Sequence, residues 1–356
     1  MKSQGRGTEK QKELMYSLET LSEIEFELSS HCNSKCPQCP RYDMFGRVQK
    51  DLNVTHLELN IIKKLPLGKM KNLKKVGFCG NFGDPLMHPG LDDIISFFQS
   101  QQISISTNAS LRSKAWWAKL GTNKNISVIF CIDGIGPTHE LYRRNTSYKK
   151  IIQNAKAFIN AGGTAKWQFI VFRHNEHQLN EAKKISEEMG FQRIDFIYSD
   201  RFDTNDKWKV YDDNNYLYDL EKSSHQTTLK KSLNVPDGEK YWKSLMKNRG
   251  SITCMWSEMK KLYIHSDGTV YPCCMLGSIE SGRNLEKFML KKLVKDFKKI
   301  DLGHHSLEEI VKSDILQKIL PDSIKGDPFH HPVCIEWCNK KTGKWYFDND
   351  VPPNIE

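Results

Sequence analysis

Ten cysteines stand in this 356-residue chain, and they are bunched. Cys32, Cys36 and Cys39 are spaced CxxxCxxC in HCNSKCPQCPR. Cys254, Cys273 and Cys274 form a second group, Cys334 and Cys338 a third, and Cys79 and Cys131 stand alone. Three thiolates on one tight loop suit a four-iron cluster. Such a cluster usually takes four, so three leave one iron open to a ligand that is not protein. Zinc is the alternative; it wants a fourth Cys or His, and His31, adjacent to Cys32, is awkwardly placed to supply it. Cys254, Cys273, Cys334 and Cys338 make a four-thiolate set for iron or zinc. Between the first two, KKLYIHSDGTVYPCC reads as a β-hairpin with Asp267 and Gly268 as a type I′ turn, which would carry Cys254 and Cys273 to one site.

These groups need a scaffold. Six β-rich runs, at 24–30, 74–80, 103–107, 126–132, 166–172 and 193–199, alternate with five helix-like segments. Two of those segments end at glycines placed for a C-cap, Gly162–Gly163 and Gly190. The pattern predicts a parallel α/β domain, and such domains hold ligands at the carboxyl ends of their strands. The unusual residues fall there. The CxxxCxxC loop follows the first run. Gly83, Asp84 and Pro85 follow the second, where glycine permits close backbone approach and an acid can accept hydrogen bonds from an ammonium; as a tripeptide alone they are a good turn. Thr107 and Asn108 end the third. Cys131, Asp133 and Gly134 follow the fourth, with Arg143 and Arg144 beyond, and Asn175 follows the fifth. His174 and His177 lack a third ligand and read as surface groups, Trp116 and Trp117 as packing. Residues 201–253 are polar and show no clear period; they read as a bridge and a candidate part of a lid.

With the cluster loop after the first of six strands, the chain resembles the radical S-adenosylmethionine (SAM) superfamily over about residues 22–200. The resemblance implies a partial (β/α)6 barrel and an open iron that chelates the amino and carboxylate groups of SAM. Electron transfer into the sulfonium then releases a 5′-deoxyadenosyl radical that abstracts hydrogen from substrate. On the same resemblance, Gly83 and Asp84 match a GGE-type motif that holds the SAM amino group, with Asp in place of Glu. Asn108, Cys131 and Asp133 line the ribose, Cys131 replacing a usual serine. Arg143 binds the carboxylate, Asn175 lies near the adenosine, and Gln38 stands where an aromatic residue often packs beside adenine.

The spacing Cys254, thirteen residues, Gly268, four residues, Cys273 resembles the SPASM and Twitch extensions of that superfamily. It implies a shortened domain with one auxiliary four-iron cluster on Cys254, Cys273, Cys334 and Cys338. The expected organisation is a polar segment at 1–21, a radical SAM core at 22–200, a bridge at 201–253, the auxiliary domain at 254–345 and a tail at 346–356. Sulfatase-maturing members place an Asp base directly after the cysteine matching Cys273, where this chain has Cys274. A packed thiol is one reading of Cys274. The other is a hydrogen donor to a substrate radical, since successive strand residues face opposite ways. The implied substrates are peptides or sugar and aminocyclitol alcohols, the reactions oxidation, epimerisation or crosslinking, and the electron donor a flavodoxin or ferredoxin. The competing class is a non-catalytic iron-sulfur or zinc protein.

A net charge of +10 favours acidic partners, but the lysines are spread along many helix faces and no nucleic-acid module is recognisable, so nucleic acid is not expected. The longest apolar runs, such as ISVIFCI, are too short to cross a bilayer, and MKSQGRGTEKQKELMYS has no hydrophobic signal core. The expectation is a cytoplasmic protein without membrane partners, whose cysteines serve metal rather than disulfides.

Overall fold

Alternation decides the first strand. In β1 (Glu23–Glu27) Ile24 and Phe26 are fully buried on one face while Glu23 and Glu25 stand half-buried on the other. The same period runs through β5 (Thr164–Val171), where Ala165, Trp167, Phe169 and Val171 are buried. Helices cover the apolar face. In the helix Tyr148–Asn160 the buried residues are Ile151, Asn154, Ala155 and Phe158, one helical stripe. Gly162 has φ +88° and Gly190 caps the helix Leu179–Met189 in the left-handed region at φ +83°, as their positions in the sequence suggest.

The computed structural model describes residues 15–199, 201–203, 205–226, 251–278 and 284–340. Most of the polar N-terminal segment, part of the bridge and the C-terminal tail lie outside the described residues. β2 (Lys75–Cys79), β3 (Gln102–Thr107), β4 (Ile126–Cys131), β5 and β6 (Arg193–Tyr198) follow β1 in chain order, every neighbouring pair parallel. The expected six-stranded α/β architecture is present as an open, partial barrel. With neighbours in sequence paired throughout, crossovers of one hand all return over one face. The other face is left for ligands, and every strand's carboxyl end reaches the same rim.

Two strands were not legible at this level of detail. In the stretch read as a bridge, β7 (Lys207–Asp212) and β8 (Asn215–Glu221) form an antiparallel hairpin, with Asp213 and Asn214 both at positive φ. Its pattern is irregular because a register shift falls between Val210 and Tyr211 and only Val210 and Leu220 are buried. The C-terminal hairpin, β9 (Lys261–Ile264) and β10 (Val270–Tyr271), extends the same sheet. β9 pairs in parallel with β1, giving the order β10-β9-β1-β2-β3-β4-β5-β6. Its turn corrects the type I′ expectation. Strand pairing stops at Ile264 and Val270, the Gly268 N–H donates to the His265 carbonyl, and of Asp267 and Gly268 only Gly268 has positive φ, at +94°. The loop is a longer turn closed by a left-handed glycine. Among the described residues no helix is long and apolar enough to cross a membrane.

The core runs through Phe26, whose ring meets Phe78 at 6.3 Å and Phe98 at 5.4 Å. Phe26→Ala leaves a cavity beneath the sheet and should lower stability by about 3–5 kcal/mol, read as an earlier midpoint in chemical denaturation at constant slope.

Candidate functional site

The cysteine loop starts where β1 ends. Its fold is fixed by short polar contacts: the Ser34 hydroxyl lies 3.0 Å from Cys36 Sγ and donates to the Arg144 carbonyl at 3.1 Å, and the Lys35 N–H donates to that same carbonyl at 2.9 Å. Two donors from elsewhere in the chain point at the sulfurs: Asn108 Nδ2, just after β3, at 3.8 Å from Cys32 Sγ, and Arg143 Nη1, at the end of the helix Pro137–Tyr142, at 3.7 Å from Cys36 Sγ. Burial, then the Asp84 charge, pushes the Cys32 thiol up, and burial raises Cys39 to about 11. The hairpin β7–β8 lies over this loop. Cys36 shares a small apolar cluster with Tyr142, Phe172, Phe202, Val210 and Leu220, while Asp212 bonds Lys35 and Arg144, each at 2.9 Å.

Gly83 and Asp84 sit against the same loop. A Cβ at Gly83 would stand 1.9 Å from the Ser29 carbonyl oxygen, so only glycine fits. The Asp84 carboxylate is buried and accepts from Leu86 N at 3.0 Å, the Thr107 hydroxyl at 2.9 Å and Asn108 N at 2.8 Å. It ties the end of β2 to the end of β3. Three donors on about four acceptor sites leave room for one more. Asn108 is held further by Asn33 and Ser110.

Asp133 is buried after β4. Its Oδ2 pairs with Arg143 Nε at 2.5 Å and its Oδ1 accepts Ile170 N at 2.6 Å. Burial raises the Asp133 pKa against the pull of Arg143, and the Asp133 carboxylate keeps Arg143 protonated despite burial. Asn175 is wholly engaged with backbone: it accepts Phe172 N at 2.7 Å and donates to the carbonyls of Ile170 and Asp133. Cys131 is buried, its Sγ 3.7 Å from the Ser106 hydroxyl. Gln38 joins the cysteine loop to the end of β6, donating to the Arg201 carbonyl at 2.6 Å and accepting from Ser199 at 2.7 Å. Gly83, Asp84, Asn108, Asp133 and Arg143 are therefore gathered with the cysteine loop on one rim, while Asn175 holds the turn after β5.

The second cysteine set converges as well. Cys254, Cys273, Cys334 and Cys338 line one cavity, with Tyr16 from the N-terminal side. Burial drives Cys273 and Cys334 well above the ordinary thiol range and Cys338 to about 12. Cys274 does not continue a strand as the sequence suggests; β10 ends at Tyr271 and Cys274 opens the short helix Cys274–Gly277. Cys273 lines the cavity and feels the charges of Cys274, Cys254 and Cys334, whereas Cys274 feels those of Glu25, Lys261 and Glu27.

A SPASM profile, described as an iron-sulfur cluster-binding domain, matches residues 254–340. The chain is 25% identical over 286 residues to a cysteine-type anaerobic sulfatase-maturating enzyme of Clostridium novyi, covering 72% of this chain and 74% of that protein. In fold it resembles Streptococcus suis SuiB bound to precursor peptide SuiA, at a TM-score of 0.54 and 15% identity over 85% of this chain, and it spans 66% of SuiB. It also resembles anSMEcpe with bound AdoMet, at a TM-score of 0.51 and 17% identity over 89% of this chain and 85% of that one.

The chain shares the fold of those solved structures, and its residues 254–340 match a SPASM-type iron-sulfur cluster-binding domain. The donor sets fit iron-sulfur clusters. All ten cysteines are free, and seven of them fall in the two convergent groups. Among the described residues no three His, Cys, Asp or Glu side chains are arranged to hold a single metal ion. The Tyr16 hydroxyl is buried without a hydrogen-bond partner, and Tyr16 lines the cavity of the second set, where a cluster held by those cysteines would supply an acceptor.

Sequence reading missed Glu27, Tyr16, the bond from Thr107 to Asp84 and the Gln38 contacts. A glutamate on the polar side of an alternating strand signals solvent, and nothing local reveals that Glu27 is fully buried. The buried Asp133–Arg143 pair gives a direct test of the rim. Either Asp133→Asn or Arg143→Ala should cost about 3–5 kcal/mol by leaving its partner uncompensated, and the double variant should lose less than the sum of the two, measured as a denaturation cycle.

Proposed function

We propose that the chain reductively cleaves SAM and uses the resulting 5′-deoxyadenosyl radical to abstract hydrogen from a peptide. The observation that carries this is the gathering of Gly83, Asp84, Asn108, Asp133 and Arg143 around the CxxxCxxC loop at one rim. When bound, the cluster on Cys32, Cys36 and Cys39 supplies the electron that breaks the SAM carbon–sulfur bond. Asn108 and Arg143 direct N–H groups at those sulfurs, which favours the thiolate form and tunes its potential. Asp84 offers its remaining acceptor site to the amino group of SAM, and the Arg143 guanidinium its charge to the carboxylate. Cys131 and Asp133 lie on the ribose side and Asn175 shapes the turn beside the adenosine. The β7–β8 hairpin keeps water from the loop.

A peptide substrate is favoured over a sugar or aminocyclitol because the relatives named above act in sulfatase maturation or hold a precursor peptide. Burial pushes the Cys274 pKa up, so the thiol keeps its hydrogen and is suited to give it as an atom to a substrate radical, giving epimerisation. This leaves a thiyl radical that an electron from a flavodoxin or ferredoxin and a proton from solvent restore to the thiol. The four thiols at Cys254, Cys273, Cys334 and Cys338 hold the auxiliary cluster. A net charge of +10 suits an acidic electron donor such as a flavodoxin or ferredoxin, and ten unpaired cysteines suit the cytoplasm.

Anaerobic iron and sulfide analysis followed by assay for 5′-deoxyadenosine tests the reading. Replacing Cys32, Cys36 or Cys39 by Ala should remove about half the iron and all SAM cleavage. Iron without 5′-deoxyadenosine in the reduced wild-type protein would leave a structural or electron-transfer role, and zinc in place of iron would end the proposal. Asp84→Ala should keep its iron and bind SAM about ten- to a hundredfold more weakly. Cys274→Ala should keep iron and SAM cleavage but fail to return hydrogen to substrate; unchanged product from candidate peptides would make Cys274 a packing residue.

A further inference from the structure

Glu27, the last residue of β1, is fully buried, and its carboxylate is shared between two parts of the chain. Its Oε1 accepts the backbone N–H of Phe82 at 2.5 Å and of Gly83 at 3.1 Å. Its Oε2 accepts the hydroxyl of Tyr263, on β9 of the C-terminal hairpin. Asn81 Nδ2 donates to that same hydroxyl at 3.2 Å. Tyr263 is fully buried, and its ring packs on Gly277, where a Cβ would stand 2.3 Å from ring Cε1. The phenol therefore has one place to be.

The consequence is geometric. In a trans peptide the carbonyl points opposite to the N–H, so a carboxylate that holds the N–H groups of Phe82 and Gly83 turns the carbonyls of Asn81 and Phe82 the other way. The Asn81 oxygen then stands 4.0 Å from Cys39 Sγ, on the cluster side of the loop. Gly83 cannot relax to another shape, because its neighbours are the Ser29 and His31 carbonyl oxygens. Burial raises the Glu27 pKa, opposed by His265 and by the hydrogen bonds from Tyr263, Phe82 and Gly83.

We propose that Glu27 and Tyr263 are positioning residues through which the C-terminal hairpin sets the loop of residues 81–83 for the amino end of SAM, so that affinity for SAM is governed from both parts of the chain. The proposal rests on the reading of that loop as a SAM site. Neither residue touches SAM. Tyr263 acts on Glu27, Glu27 on two backbone N–H groups, and those on the Asn81 carbonyl beside Cys39 and the Phe82 carbonyl that accepts from Arg41 at 3.4 Å.

The test compares two probes on cluster-reconstituted protein under anaerobic conditions, by calorimetric titration with SAM and with 5′-methylthioadenosine, which lacks the amino and carboxylate groups. Tyr263→Phe should bind SAM about three- to tenfold more weakly, with iron content and affinity for 5′-methylthioadenosine unchanged. Glu27→Gln should show the same selectivity. The double variant should be no weaker than the worse single variant, since both lie on one path. Equal losses for the two probes would mean general damage to the pocket and overturn the proposal, as would unchanged SAM affinity in Tyr263→Phe or fully additive losses. A wild-type protein that binds SAM no better than 5′-methylthioadenosine would instead remove the SAM reading of the loop, and the proposal with it.

Discussion

A parallel sheet whose strands pair in chain order sends every carboxyl end to one rim, and everything else in this protein is arranged around that constraint. Residues far apart in sequence thereby meet: Cys32 with Asn108, Cys36 with Arg143, Asp84 with Thr107. Helices on one face absorb the apolar half of each alternating strand, which leaves the polar half available for chemistry. The open edge at β1 is closed by β9, so the auxiliary region is joined to the core by backbone hydrogen bonds rather than tethered beside it.

Gathering charge on a buried rim has an electrostatic cost, and the pattern of contacts shows how it is offset. Asp84, Asp133 and Glu27 are each buried, and each accepts from backbone N–H groups as well as side chains. The same bonds fix loop shape, so stabilising the charge and shaping the site are one act. The thiols follow the opposite rule. Burial favours their neutral form, and only a bound metal or nearby cations make the thiolate favourable, which couples cluster binding to proton release.

The C-terminal region contributes at two levels. Four cysteines from three separate stretches line one cavity, and Tyr16 reaches the same cavity from the other end of the chain. Adjacent residues Cys273 and Cys274 are divided, Cys273 lining that cavity and Cys274 lying within reach of the Lys261 charge. The division leaves the Cys274 thiol close to the charges of Glu25 and Glu27.

The sequence by itself determined what depends on short-range order: six alternating strands with helices between them, glycines that end two helices, and cysteine spacing tight enough to name a cluster loop. It also marked Gly83, Asp84, Asn108, Asp133 and Arg143, because position after a strand is a local property. Only the tertiary structure decided what depends on distant partners. The burial of Glu27 requires β9, and the hairpin of residues 207–221 acquires its meaning by packing on Cys36. Tyr16 lines the second cavity with its carbonyl held by Gln317, a residue from the far end of the chain. No periodicity reports such pairings, since a side chain's neighbours across a sheet are set by strand order and register, and those are fixed only when the whole chain has packed.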